Sequence, residues 1–475
     1  MLIGGRTAAV MQATLAFDVE DPITPESDDV ALWLAEILTE EGATGTFFVT
    51  GAKARALEER GRKDVIDALA EHDIAYHSNT HSVHPTISEY LADCGWREGI
   101  ERVIEVEEPG IDDVERIFGV RPRSFGRSGG SYAPQFVAGM AELGLAYAYS
   151  PIEHPTTAVT RFAGGLTFGD HTPGFDHVLA DAEEFPQRFE DFKRNLTGHV
   201  GGGRDFLFVF VAHPSRVRAT EFWDIVNFAN GRNPPESAWK TPPLRPASSM
   251  ETAKDHYRQL VRFCRDTPAL DLTTVSSLID EYESEVESLR TAQLVEIAMR
   301  AASSREISID QPFSPGETIL AFCEALLHVA ETGELPRQVA RKPVFGPSEN
   351  PPTAPMRRTA DLDELTEAAR IVVEIVERDS KLPTQVQIDG CRMGIGSLYF
   401  ALAEGIITQA TQQDRGQIAL PARDQFPAIA RDIAVDIPDT LAGWGIHDRD
   451  LDPRRITDHT IRQTWTMKPA GTGQQ

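Results

Sequence analysis

Short apolar runs that stop abruptly at ionisable side chains limit what the first half of this chain can fold into. Ala13-Thr-Leu-Ala-Phe17 runs straight into Asp18-Val-Glu-Asp21, and Ile74-Ala-Tyr76 into His77. Phe206-Leu-Phe-Val-Phe-Val-Ala212, the most apolar run of all, delivers His213. Such runs read as strands buried on both faces. Helical spacing fills the gaps between them. Val30, Trp33, Leu34, Ile37 and Leu38 make one stripe from about Asp28, with Ser27 placed to cap it and Gly42 to stop it. Further helices read at 64–70, 99–118 and 135–143. Thr46-Phe-Phe-Val49 is the next strand after the first helix, so the order is strand, helix, strand with short joins. That is a βαβ unit, and it makes the sheet parallel. Seven or so units carry the pattern to about Glu285, which predicts one α/β domain with its candidate chemistry at the strand ends.

The strand ends carry the candidates. His77, His81 and His84 fall within Ala75-Tyr-His-Ser-Asn-Thr-His-Ser-Val-His-Pro85. On a helical turn, His77 and His81 would share one face and could share a metal ion. Three carboxylates directly after a strand are costly unless something cationic waits there. Arg127, in the Gly-rich loop Gly126-Arg-Ser-Gly-Gly-Ser-Tyr132, can hold a carboxylate by a two-pronged hydrogen bond. His213 is a second strand-end imidazole. Residues 151–177 read as a long loop or hairpin insert in which Asp170 and His171 are given a structural role.

The charge excludes partners. Asp plus Glu outnumber Lys plus Arg by 73 to 46, a net charge of -27, which argues against nucleic acid and anionic membranes. The four cysteines, Cys94, Cys264, Cys323 and Cys391, form no CxxC and read as buried free thiols of a reducing compartment. No apolar run reaches membrane-spanning length, and the N-terminus does not read as a signal peptide. A cytoplasmic protein is expected.

Beyond residue 285 the pattern turns helical with Pro-rich joins. Leu326-Leu-His-Val-Ala-Glu-Thr-Gly-Glu-Leu-Pro-Arg-Gln-Val339 aligns with Val373-Glu-Ile-Val-Glu-Arg-Asp-Ser-Lys-Leu-Pro-Thr-Gln-Val386, an internal duplication. Ser314-Pro-Gly-Glu317 is a capping-box start for the first copy's helix. The expected division is an α/β domain over 1–285, a first helical repeat over 286–345, a Pro-rich linker over 346–358, and a second repeat with a tail over 359–475.

With these residues in view, 11–285 resembles the NodB-homology polysaccharide deacetylases, whose fold is a distorted (β/α) barrel. Phe17-Asp-Val-Glu-Asp21 is similar to that family's first motif, His77-Ser-Asn-Thr-His81 to its second, Arg127-Ser-Gly-Gly-Ser-Tyr132 to its third and His213 to its fifth. The resemblance implies Asp18 as general base, His213 as general acid and Arg127 as the cation that orients the base. It implies a divalent metal on His77, His81 and one carboxylate. Asp21 is the expected ligand, with Glu20 the alternative, because the family's adjacent Asp-Asp is here Asp-Val-Glu-Asp. Zinc is the first choice of metal from the His-rich ligand set, with cobalt, nickel or iron fitting too. Ser131 and Tyr132 are the expected substrate contacts, and His84 is left without a fixed role. The fourth-motif Asp has no clear counterpart. His213-Pro214 resembles a branch acting on cyclic amides. The expected activity is N-deacetylation of an N-acetylated sugar. The alternatives are an allantoinase-like opening of a cyclic imide or ureide, and a catalytically inactive glycan binder. The C-terminal copies resemble pseudomurein-binding-type repeats, which implies cell-wall glycan contact.

Overall fold

A computed structural model describes residues 10–169, 171–201, 205–352, 358–388, 390–412, 416–420 and 422–471. The chain forms two compact units. The first takes the chain up to Val159, then Gly165–Glu281 and Asp439–Pro453; the second takes Thr160–Gly164, Tyr282–Pro438 and the chain from Arg454 onward. The excursion of 439–453 into the first unit has no counterpart in the expected division.

The first unit is an α/β fold built on a parallel sheet. β1 (Met11–Val19), β2 (Thr46–Val49), β3 (Asp73–Tyr76), β4 (Ser124–Gly126), β5 (Ala146–Ala148) and β6 (Gly165–Phe168) pair in that order, all parallel. On its other edge β1 pairs parallel with β7 (Phe206–Ala212), and its start pairs with β8 (Leu270–Leu272). The segment after β6 returns to β7: His171 bridges Phe208, Thr172 N–H donates to Phe208 O (2.9 Å) and Phe175 N–H to Val211 O (2.8 Å). These bonds close the sheet into a distorted (β/α) barrel. All seven side chains of β7 are buried, because helices cover one face and barrel contents the other. A shift of register between Ala16 and Phe17 re-aims the end of β1 against β7.

Local chemistry explains two departures from expectation. The first helix, Glu26–Glu40, starts ahead of Ser27, and no side chain caps it. The Ser27 hydroxyl is occupied elsewhere: it donates to Thr24 O (2.7 Å) and accepts from Lys53 Nζ (3.0 Å). Lys53 is buried and pairs with buried Asp28 at 2.5 Å, so this helix end is held by an ion pair. The stretch from His77 to His81 is a loop, not a helical turn. Ser78 (φ 69) and His81 (φ 54) both adopt the left-handed region. Ser78 Oγ accepts from His81 N–H (3.0 Å), and Ser128 Oγ donates to His77 O (3.0 Å). The imidazoles meet because the loop folds back, not because a helix repeats.

The second unit is mainly helical. Its helices include Thr291–Ser304, Pro315–Thr332, Leu362–Asp379 and Ile395–Thr411. Among the described residues, three two-stranded antiparallel ribbons accompany them. The two aligned stretches take the same course: a helix ends on a left-handed residue, Gly333 (φ 82) or Ser380 (φ 54), then Leu-Pro leads into a strand. The capping box at Ser314 forms, with Ser314 N–H donating to Glu317 Oε2 (2.7 Å) and Glu317 N–H to Ser314 Oγ (3.2 Å). Residues 353–357 of the expected linker lie outside the described residues, as does Asp170. Among the described residues no helix is long and apolar enough to cross a membrane. Cys264, Cys323 and Cys391 are buried free thiols, and Cys94 is half-buried.

Candidate active site

Side chains alternate along a strand, so Asp18 and Glu20 leave the end of β1 on one face while Asp21 leaves on the other. Glu20 Oε2 lies 3.0 Å from His81 Nε2 and 3.5 Å from His77 Nε2. Asp18 Oδ2 lies 3.8 Å from His77 Nε2 and 3.6 Å from His213 Nε2, at the end of β7. Asp18, Glu20, His77 and His81 are all buried. Strand ends that are distant in sequence thus bring two carboxylates and three imidazoles to one point.

Neighbours fix each ring. His77 Nδ1 donates to Gly126 O (2.9 Å), which turns the Nε2 lone pair inward. His81 Nδ1 contacts Ser82 Oγ (2.6 Å), which in turn donates to Asp224 Oδ2 (3.0 Å). This is a carboxylate–serine–histidine relay that again leaves Nε2 free. Glu20 Oε1 accepts from Trp223 Nε1 (2.9 Å), leaving Oε2 to the histidines. His213 Nδ1 donates to Asp176 Oδ1 (3.0 Å). Asp176 is thus the carboxylate that holds the His213 ring.

Burial lifts the Asp18 carboxyl above its ordinary range, with the histidine charges opposing. Glu20 is buried too, but His81 and His213 outweigh that and hold it well below the usual range. Burial favours neutral His213, yet Asp176, Glu20 and Asp18 together push it up to about 10. The buried Nε2 atoms of His77 and His81 and Oδ1 of Asp18 have no hydrogen-bond partner among the described residues. Buried polar atoms without partners are costly. Two inward imidazole nitrogens beside a carboxylate are what a divalent cation would satisfy. Glu20, His77 and His81 form the group of described residues able to hold one.

The remaining expected residues lie elsewhere. Asp21 is not in the cluster: its Oδ1 accepts from the N–H groups of Ile23 (2.8 Å) and Thr24 (3.1 Å), closing the turn before the first helix, and burial pushes its pKa up to about 6. Arg127 spends its hydrogen bonds on backbone carbonyls, Nε on Tyr149 O (2.8 Å) and Nη1 on Gly129 O (2.5 Å), rather than on Asp18. Ser131 and Tyr132 are wholly buried, so neither side chain is open to a substrate. Ser131 Oγ accepts from Ser88 N–H (2.9 Å), and the Tyr132 ring stands edge-on to Tyr147. His84 pairs with Glu89 (2.7 Å) and bonds Phe228 O (3.0 Å), outside the cluster.

Sequence reasoning missed Asp176, Trp223, the Ser82–Asp224 relay and Tyr149. Tyr149 sits at the end of β5 in the left-handed region (φ 57), beside Asp18, whose charge adds to burial in raising its hydroxyl. A bulky residue held there costs energy, and such residues cluster at active sites. Only the choice of Glu20 had a sequence signal, the period-two alternation past Asp18.

Fold and site together define a (β/α) barrel with a His–His–carboxylate group at its strand ends, flanked by an acid and a further imidazole. No family model matches the chain, and no curated protein does. Solved structures similar to it include polysaccharide and peptidoglycan deacetylases and a family 4 carbohydrate esterase pseudoenzyme. A Mycobacterium smegmatis protein assigned to the polysaccharide deacetylases is 15% identical, with 58% of this chain and 92% of that one covered at a TM-score of 0.38. A mutant of the Bacillus subtilis peptidoglycan deacetylase PdaC is 13% identical, with 58% and 91% covered at 0.28. A Bacillus anthracis family 4 carbohydrate esterase pseudoenzyme, mutated to restore activity, is 14% identical, with 58% and 69% covered at 0.30. Likenesses of this strength carry no argument about function, which rests on the site.

Proposed function

We propose that the first unit is a metal-dependent hydrolase of C–N bonds that removes the acetyl group from an N-acetylated sugar. One observation carries this: Glu20, His77 and His81 converge on a point that Asp18 and His213 flank. A divalent ion held there, zinc first, would polarise the amide carbonyl and lower the pKa of water. Asp18, made more basic by burial, takes a proton from water as the water oxygen bonds to the carbonyl carbon. His213, held protonated by Asp176, gives its proton to nitrogen as the C–N bond breaks, so the nitrogen leaves as a neutral amine. Acetate and the amino sugar are the products. Trp223 holds the Glu20 carboxylate through its Nε1–H, and Tyr149 stands beside Asp18.

The test is metal content with acetate release from chito-oligosaccharides, before and after chelation. We expect about one ion per chain and activity that chelation abolishes and metal restores. Glu20→Gln should lose the metal at least tenfold more easily, as loss of a ligand demands, while Asp21→Asn keeps it. If Asp21→Asn is the one that strips the metal, the ligand assignment is wrong. Ring opening of allantoin or succinimide without acetate release would move the same site to cyclic amides. Glycan binding with no metal would leave a binder. We assign glycan contact to the duplicated second unit, tested by co-sedimentation of the Glu20→Gln chain with cell-wall material.

A further inference from the structure

We infer that Trp444, from the distal segment 439–453, is a specificity-determining wall of the active site and stacks on the apolar face of the sugar ring whose acylamido group enters it. This rests on the deacetylase function proposed above. The segment belongs to the first unit, although the chain forms much of the second unit before reaching it. The Trp444 ring centroid lies 5.8 Å from that of His81, with the planes at 85°. Trp223 lies 5.8 Å from His81 and is fully buried. Trp444 is only half-buried. Of these two tryptophans, Trp444 is thus the one with indole surface left for a ligand beside the group able to hold a metal.

The barrel is shaped to receive it. A Cβ added at Gly129 would lie 2.3 Å from Trp444 Cε2, and one at Gly130 would lie 2.5 Å from Trp444 Cβ and 2.9 Å from Thr440 O. Both glycines of the Arg127–Tyr132 loop are therefore accounted for by close approach of this segment. Barrel loops also fasten the stretch from Gly445 to Asp448. His447 Nδ1 donates to Leu441 O (2.8 Å) within the segment, which leaves Nε2 to accept from Ser131 Oγ (3.3 Å). Asp448 N–H donates to Glu89 Oε1 (2.8 Å). Asn230 and Gly231 N–H groups donate to Gly445 O (2.9 Å) and Ile446 O (3.0 Å), and Ile446 is buried with Trp223 and Phe228. A segment this firmly tied presents its indole in a fixed pose, which is what an aromatic platform for a flat, half-apolar ligand requires.

The experiment uses the full chain loaded with zinc, with chitotetraose as the probe. Trp444→Leu keeps apolar bulk against the two glycines but removes the aromatic face, and Trp444→Phe restores a face. We expect Trp444→Leu to raise KM about tenfold or more with kcat changed less than about threefold and metal content unchanged, and Trp444→Phe to recover most of the loss. Calorimetric binding of chitotetraose in an Asp18→Asn background should weaken in parallel. Acetate release indifferent to Trp444→Leu would overturn the inference while leaving the hydrolase standing. Metal lost equally in both variants would overturn it too, by making Trp444 packing for His81. Binding that depends on Trp444 without turnover would keep the wall and sink the hydrolase. No binding of chitotetraose by any form would end the stacking role.

Discussion

His213 donates its Nδ1 proton to Asp176 across 3.0 Å, and Asp176 is the largest favourable influence that keeps the imidazole protonated. A general acid must carry its proton when the leaving group departs, so the alkaline limb of the rate profile follows the pKa of His213. Removing the Asp176 charge lowers that pKa, because an opposite charge at contact favours the protonated form. Asp176→Asn should therefore move the alkaline limb of kcat/KM to lower pH by about 1–2 units, with a smaller loss at pH 6 than at pH 8. A bound cation would lower the pKa in both proteins, leaving the sign of the difference intact. A limb that stays in place would remove His213 from the role. Residues of this scale were legible only where the chain is local. His77 and His81 stand four apart and drew notice for that, although the helical turn their spacing suggested is not what brings them together. Asp176 lies in a segment without periodicity, and only the return of the chain to β7 brings it to His213. Asp21 against Glu20 was decidable from strand alternation, which applies even to the residues just past a strand's end.

The short helix Ile87–Leu91 shows how an element ties the site loop to its surroundings. Its capping box uses Glu89, whose carboxylate accepts from Thr86 N–H (2.7 Å), pairs with His84 and accepts from Asp448 N–H. Burial would raise the Glu89 pKa, but His84 and the two N–H groups overcome it and bring it to about 2. The sign follows from linkage: a depressed carboxyl contributes stability that is complete above its unfolded value near 4.5 and is lost as pH falls toward 2. The raised imidazole of His84 adds stability that is present below about 6.5 and lost as pH rises through its folded pKa. Glu89→Gln should melt lower than wild type at pH 5, and the gap should close as pH falls from about 4.5 toward 2. Parallel melting curves across that interval would mean the carboxylate charge does not matter here. Elements themselves were the most legible level, since apolar periodicity names strands and helices without knowing their neighbours. The failures came where side chains had other partners. Ser27 was committed to Lys53 and could not cap, and the histidine loop kept its four-residue spacing on a backbone with two left-handed turns.

At the scale of the whole molecule, the return of 439–453 to the barrel was invisible to the sequence because every bond that holds it is non-local. Trp444 on Gly129, His447 on Ser131 and Asp448 on Glu89 each join residues with no shared periodicity. Charge, by contrast, is a property of the sum and can be argued without the fold. A net charge of -27 leaves more repelling pairs than attracting ones at long range. Surface pairs such as Arg116–Glu58 and Arg97–Glu101 work the other way, but exposed pairs are worth about 0–1 kcal/mol each and salt weakens them as well. Buried pairs such as Lys53–Asp28 are screened little. Repulsion between exposed like charges more than about 10 Å apart is largely screened once the Debye length falls to about 10 Å, near 0.1 M salt. The excess of 73 acids over 46 bases decides the balance. Raising NaCl from about 0.01 to 0.5 M should increase Tm by several degrees, since about 1 kcal/mol corresponds to roughly 2–4 °C for units of this size. Most of the rise should come below about 0.2 M, where screening changes fastest. Differential scanning calorimetry across that series checks it: a flat or falling Tm would show that the acidic excess is already neutralised within the fold, by ion pairing or by a bound cation.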